Sequence, residues 1–350
     1  MNAQILITGA TGFIGRHLTR DLLASGSTVR ALVHSAERAR GLFGDRVEIV
    51  LGDLGDPGSL QKACEGIDTV YHIGGLFKFG LRHSRKIYQA NIDGAENLFQ
   101  AASKAKVSKV VHVSSASVLS RAATTANPYP LLNETDFSAT APRFSPYKFS
   151  KWESENRALA WSKRGLPVVI ASLSCPIGCG DEAPTPTGQI VRDFLQGRFP
   201  CYSKVGLNFA NVTDVISGLK LTAEFGRVGE RYLLTNENLW LKDFLDCLAE
   251  ETDLPAPTVC LPQWSVEAIS YFGEMFDLLN VRSNCARICI ETALQARSTQ
   301  FFDHSKARKE LGWTPSPIQA GIQQAVEWFT AESRFESTCD ALPVAKSHAR

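Results

Sequence analysis

The first 175 residues alternate short β-branched runs with longer stretches in which apolar residues recur at helical spacing, the βαβ pattern of a parallel sheet covered on both faces. The pattern predicts strands at Gln4 to Thr8, Thr28 to His34, Val47 to Leu51, Thr69 to Ile73, Lys109 to Ser114 and Pro167 to Ser172. Between them it predicts helices at Phe13 to Ser25, Ser59 to Glu65, Arg85 to Lys104 and Pro146 to Arg164. After Cys175 the regime changes: Pro176, Pro184, Pro186 and Pro200 interrupt the chain, with Gly178, Gly180 and Gly188 among them, which is loop-rich, pocket-building sequence. From Trp240 helical patterns dominate and end with Ile318 to Phe329; the polar tail from Glu332 to Arg350 has little to bury and is expected to be disordered. The fold class is α/β, a doubly wound parallel sheet followed by a smaller, mainly helical region.

Composition narrows the function classes. With 44% hydrophobic and 21% charged residues over 350 positions, the chain can bury a large core. Its net charge is +1 and the basic residues are scattered, so neither nucleic acid nor an anionic membrane is an expected partner. A small-molecule substrate is. The nine cysteines are odd in number and form no CxxC pair, although Cys175/Cys179 and Cys285/Cys289 share CxxxC spacing; they read as thiols in a reducing compartment, with no metal expected. Met1 leads straight into an apolar strand without a charged leader, and no apolar stretch approaches the length of a membrane span, so a cytoplasmic location is expected.

The first chemistry appears at Gly9-Ala10-Thr11-Gly12-Phe13-Ile14-Gly15, between a strand and a helix. Glycines permit a tight turn and close approach of backbone to a pyrophosphate, and the first amides of the following helix, lacking intrahelical acceptors, meet the anion. The position of the motif makes this a Rossmann-type dinucleotide site. At the end of the second strand, Val33-His34-Ser35-Ala36-Glu37-Arg38 contains no acid on the strand to hold a ribose 2′-hydroxyl. His34 and Arg38, with Arg30 a further candidate, can instead answer a 2′-phosphate, which favours NADP(H) while leaving NAD(H) possible; solvation of a helix face is the alternative use of Arg38. Asp53-Leu54 and Ile73-Gly74-Gly75 follow the third and fourth strands, at the carboxyl edge where open α/β sheets bind ligands; Asp53 either accepts from an adenine amino group or closes a turn.

Farther along, Ser145-Pro146-Tyr147-Lys148-Phe149-Ser150-Lys151 has an N-cap serine and a first-turn proline, so Tyr147 and Lys151 share one helix face. An ammonium about 4 Å from a phenol, at an effective dielectric of roughly 20, is worth around 4 kcal/mol, enough to draw a group with a pKa near 10 toward working pH. The pair is a candidate acid/base, and Ser114-Ser115 ends a strand upstream of it.

These motifs, together with Asn91 in Ala90-Asn91-Ile92-Asp93-Gly94, resemble in order and spacing those of the extended short-chain dehydrogenases/reductases. Within them the chain is similar to the dihydroflavonol reductase-like and hopanoid-associated sugar epimerase groups, through Pro184-Thr185-Pro186-Thr187-Gly188, Gly229-Glu230-Arg231-Tyr232 and Asp303 to Trp313. The resemblance implies a dinucleotide-binding domain over residues 1–173, with 209–234 returning to it, and a substrate-binding region from 174–208 and 235–330. It also implies Tyr147 as acid/base, Lys151 as its electrostatic partner and a ribose ligand, Ser115 as donor to the reacting oxygen, Asn91 as a support, Pro176 beside the cofactor, and a homodimer formed through the helices at Arg85 to Lys104 and Pro146 to Arg164. Where sugar-nucleotide enzymes of this type carry Arg-x-Phe-Asn and Arg-Asp-x-x-His-Val runs, this chain has Ser172-Leu173-Ser174-Cys175-Pro176 and Leu207-Asn208-Phe209-Ala210-Asn211-Val212. Phe77, Phe79, Phe144, Ile177 and Phe209 are the expected pocket, apolar and aromatic, which favours carbonyl reduction of an uncharged substrate over sugar epimerisation; a non-catalytic dinucleotide sensor is the third reading.

Overall fold

Strands flanked by helices on both sides need apolar residues on both faces, and the central sheet shows why the runs above are nearly continuous. The computed structural model describes residues 4–78, 80–142, 145–278 and 299–340. In chain order its first half consists of β1 (Gln4–Thr8), α1 (Phe13–Ala24), β2 (Thr28–Val33), α2 (Ala36–Phe43), β3 (Glu48–Leu51), α3 (Pro57–Cys64), β4 (Thr69–His72), α4 (Ser84–Tyr88), α5 (Gly94–Lys104), β5 (Lys109–Ser115), β6 (Leu131–Leu132), α6 (Pro146–Lys163) and β7 (Val168–Leu173). There follow β8 (Cys175–Ile177), α7 (Pro186–Leu195), β9 (Cys201–Ser203), β10 (Gly206–Asn211), α8 (Val212–Phe225), β11 (Arg231–Leu234), β12 (Glu237–Trp240), α9 (Leu241–Thr252), β13 (Val259–Leu261), α10 (Gln263–Leu278), β14 (Phe301–Phe302), α11 (Ser305–Leu311) and α12 (Gln319–Asp340).

Seven strands form the main sheet in the order β11-β7-β5-β4-β1-β2-β3, every neighbouring pair parallel. Alternate side chains serve opposite cores. Ile5, Ile7, Val29 and Val111 pack with Leu18 of α1 and Ile216 and Leu219 of α8, while Leu6, Leu32, Val70 and Val110 pack with Leu60 of α3, Phe99 of α5 and Ala158 of α6. Burying each such side chain contributes about 1.5–3 kcal/mol. The strand order reverses between β1 and β4, so a crevice opens above the carboxyl ends of these two strands.

Beyond β7 the chain builds a three-stranded sheet, β12-β10-β8, whose core holds Phe209 stacked on Phe244 of α9, ring centroids 4.2 Å apart. It returns to the main sheet through α8 and β11.

The elements depart from the sequence pattern in three places. The stretch from Ser35 forms α2, capped by the Ser35 hydroxyl accepting from the Arg38 amide. The expected Arg85 to Lys104 helix is α4 and α5 joined by a π-helical turn, Gln89–Asp93, which contains Asn91. The last helix runs past Phe329 to Asp340, and residues 341–350 of the expected disordered tail lie outside the described residues. Among the described residues no helix is long and apolar enough to cross a membrane.

Candidate functional site

The crevice between β1 and β4 is lined by backbone. Gly9 has φ +74°, and a Cβ there would lie 2.8 Å from the Gly74 backbone; one on Gly15 would lie 2.0 Å from the Gly9 carbonyl oxygen. The Gly12 amide donates to the Gly9 carbonyl (3.0 Å), and α1 starts at Phe13 with no side chain capping its first amides. Thr11, Phe13 and Ile14 are half-buried around this loop. Gly74 donates to the Thr8 hydroxyl (3.1 Å), tying the ends of β1 and β4 together. Such a cradle, a turn with glycines where backbone approaches backbone and the uncapped first amides of α1 at its edge, fits a dinucleotide pyrophosphate.

At the far end of the cradle the structure corrects the charge reading. An acid is absent from the β2 terminus, yet acids reach it through space. His34 lies 3.4 Å from Asp53 of the loop after β3, both exposed, and Arg38 is paired with Glu182 (3.2 Å) from the loop between β8 and α7. Arg30 faces away from the crevice, bound to Glu48 (2.9 Å) and to the Ala63 and Glu65 carbonyls. Asp53 does close a turn: its carboxylate accepts from the Gly55 amide (2.6 Å). Leu54 packs its side chain toward Gly94 of the helix opposite, and its carbonyl accepts from Asn97 (3.0 Å).

At the near end, a cavity of about 330 Å³ brings Tyr147, Lys151 and Ser115 together with Ile14, Ile73, Gly75 and Pro176. The Ser145 hydroxyl accepts from the Lys148 amide (3.0 Å) and Pro146 opens α6, which places Tyr147 at the cavity wall with its ring 4.4 Å from that of Phe77. Lys151 is buried, donates to the Val113 carbonyl (3.0 Å), and sits beside Gly75. Burial lowers its pKa from 10.5 to about 8, with the Glu155 carboxylate acting in the opposite direction. The Ser115 hydroxyl faces that of Ser117 (2.9 Å) and accepts from the Ser117 amide. Ser114, by contrast, commits its proton to the buried Glu155 (2.6 Å), which is also gripped by Arg231 of β11. Asn91 spends both amide N–H groups on the Leu76 carbonyl (3.0 Å) and Ser150 (2.9 Å) and accepts from the Leu76 amide (2.6 Å), a brace between the π turn, the strand-end loop and α6.

Of the expected pocket residues, Phe77 lines the cavity. Ile177 and Phe209 do not: each lies one step farther along the same strand face as Cys175 and Leu207, which do, and there α9 and α12 close over the small sheet and take both side chains into its core. Phe79 and Phe144 lie outside the described residues. The apolar wall is instead built by Leu76, Leu173, Ile190, Val205, Leu207 and Leu241, with Ser174, Thr187 and Gln300 as polar points. Those residues come from segments far apart in sequence, and no local pattern marks them. The Ser174 hydroxyl is buried without a hydrogen-bond partner, and the Cys175 thiol is pushed up to about 11 by burial.

Residues 5–234 match the model of the NAD dependent epimerase/dehydratase family. The chain is 32% identical over 327 residues to a Synechocystis sp. protein named after dihydroflavonol 4-reductase, covering 92% of this chain and 93% of that protein. It is 31% identical over 327 residues to sterol demethylase protein B of Methylococcus capsulatus, covering 93% and 97%. Among solved structures, MoeE5 in complex with UDP-glucose and NAD superposes with a TM-score of 0.73 at 24% identity, covering 95% of this chain and all of that one, 100%.

Proposed function

The chain belongs to the NAD dependent epimerase/dehydratase family, and from that premise we propose that it is an NAD(P)-dependent oxidoreductase which reduces a carbonyl of an uncharged organic substrate, or oxidises the corresponding alcohol. One observation carries the choice over sugar-nucleotide chemistry. Among the described residues lining the cavity, Lys151 is the one charged side chain, and the rest of the wall is mainly apolar. A diphosphate buried there would lack partners, at a cost of several kcal/mol, whereas an apolar carbonyl compound gains about 25 cal/mol per Å² buried. The names of the reductase-like and sterol-linked relatives agree with such a substrate.

A bound nicotinamide dinucleotide would supply or accept the hydride. The loop Gly9 to Gly15 is the proposed pyrophosphate cradle, Asp53 and Leu54 flank the adenine, Ile73, Gly74, Gly75 and Pro176 lie along the cofactor, and Lys151 holds a ribose. In the reduction direction the Tyr147 hydroxyl gives its proton to the carbonyl oxygen as it becomes an alkoxide, the Ser115 hydroxyl donates a hydrogen bond to the same oxygen, and the Lys151 ammonium stabilises the tyrosinate left behind. His34 and Arg38 remain the proposed contacts of a 2′-phosphate, which would have to take them over from Asp53 and Glu182; on those contacts NADP(H) is proposed ahead of NAD(H). The test is NADPH-dependent reduction of aromatic and alicyclic ketones with UDP- and dTDP-sugars as competitors. Turnover of an uncharged ketone without inhibition by nucleotide sugars is expected; epimerisation of a nucleotide sugar without net cofactor use would overturn the reading.

A further inference from the structure

We propose that Glu182 sets how strongly this site takes a 2′-phosphorylated dinucleotide, by occupying the Arg38 guanidinium that such a phosphate needs. The proposal rests on the dinucleotide reading above. Glu182 lies in the loop between β8 and α7 and bridges two helices of the other domain: its Oε1 is 2.7 Å from an Arg16 nitrogen on α1, and its Oε2 is 3.2 Å from an Arg38 nitrogen on α2. The two arginines differ in freedom. The Arg16 side chain is 3% exposed and fixed, while that of Arg38 is 52% exposed and free to turn. Arg16 is therefore the anchor and Arg38 the exchangeable partner.

The loop itself is tethered at its other residues. His17 Nε2 lies 2.8 Å from the Cys179 carbonyl oxygen, and the Asp181 carboxylate accepts from the Thr185 amide (2.8 Å) and hydroxyl (2.7 Å). Glu182 thus cannot swing away at no cost, and Arg16 beside it holds its carboxyl below the usual range, so it stays ionised near neutral pH. A phosphate arriving at Arg38 meets a carboxylate already seated there. It must share the guanidinium with a like charge or displace it. A 2′-hydroxyl carries no charge and is indifferent to this competition. Cofactor choice then depends on a residue 144 positions away from the arginine it masks, supplied by a loop that leaves β8 just after Pro176 and ends at Thr185, both of which line the cavity.

The experiment titrates NADPH and NADH against the full-length protein, followed by quenching of tryptophan fluorescence, for the parent, Glu182→Gln, Arg38→Ala and the double variant. Glu182→Ala is run in parallel, since it cannot re-bond to Arg38. Freeing Arg38 should tighten NADPH about tenfold, the value of one charge-assisted hydrogen bond, leave NADH within about twofold, and give no gain in the Arg38→Ala background. Unchanged NADPH affinity, equal changes for both cofactors, or a gain that survives Arg38→Ala would each overturn the proposal while leaving the dinucleotide reading intact. A parent protein that binds neither dinucleotide would overturn that reading and this proposal with it.

Discussion

Replacing Lys151 with Met should stabilise the dinucleotide-free fold at neutral pH. Burial lowers the lysine pKa from 10.5 to about 8, and each unit is worth about 1.4 kcal/mol, so confining its charge in the floor of the cavity costs the fold about 3 kcal/mol. Methionine fills a similar length without the charge. Against this, the variant forfeits the bond to the Val113 carbonyl, about 1 kcal/mol, while Glu155 keeps Arg231 and Ser114 as partners. A net gain of about 2 kcal/mol follows. Its pH dependence is the sharper signature. A lysine whose folded pKa lies below its unfolded value binds fewer protons folded than unfolded between the two, so its cost is fully present below about pH 8 and fades as pH rises toward 10.5. Urea unfolding of parent and variant at pH 7, 8, 9 and 10 measures this directly. The variant should lead at pH 7 and lose its lead by pH 10, while losing dinucleotide affinity throughout. A variant less stable than the parent at pH 7, or a gap that does not change with pH, would show that Lys151 is not held under electrostatic strain for function.

Further predictions concern the same region. Tyr147→Phe should lower turnover by about 10² to 10⁴, the loss of one general acid, with NADPH and NADH affinities by fluorescence titration nearly unchanged; wild-type-like turnover contradicts the proposed role. Glu155→Gln breaks a buried ion pair and should cost about 3–5 kcal/mol in urea unfolding, whereas Glu155→Met with Arg231→Met should recover part of it, because the guanidinium is no longer stranded and the cost that remains is the Lys151 ammonium left without its counterweight. A homodimer formed through α5 and α6 is expected by light scattering at micromolar concentration, and a monomer there refutes it.

What the sequence made legible is what its neighbours in sequence determine. The glycine loop follows a strand and opens a helix within a dozen residues, and Ser145 with Pro146 starts α6 so that Tyr147 and Lys151 must share a face. The contacts it hid join distant segments: Arg38 to Glu182, Glu155 to Arg231 across 76 positions, and Ser114 to Glu155 across 41. Reading Arg38 as a free cation follows from inspecting one strand end, where no acid appears; Asp53 and Glu182 arrive there only when the third strand and the β8 to α7 loop are folded in. Phe209 shows a different limit. Period-two alternation correctly places it on the same face as Leu207, but not at the depth where α9 covers that face, and so cannot separate cavity from core.

Depth also explains the polar groups behind Lys151. His72 and His112 are buried side by side, ring centroids 5.2 Å apart, in the two strands beneath it. The Thr8 hydroxyl accepts from the Gly74 amide and is hydrogen-bonded to His72 Nδ1 (2.8 Å). Ser154 gives its proton to the Lys151 carbonyl (3.1 Å) and lies 3.4 Å from His112 Nε2. Burial first, and then the nearby Lys151 ammonium, lower His72 to about 3, and burial, His72 and Lys151 together drive His112 well below its ordinary value. Both rings are therefore neutral near neutral pH, where Lys151 carries its charge. Had either titrated near neutrality, it would have set a second cation against the ammonium and depressed it further. Hydroxyl partners that suit neutral rings, and among the described residues no carboxylate that favours the charged form of either ring, keep the charge that Tyr147 needs on Lys151, with Glu155 as its counterweight one helical turn away.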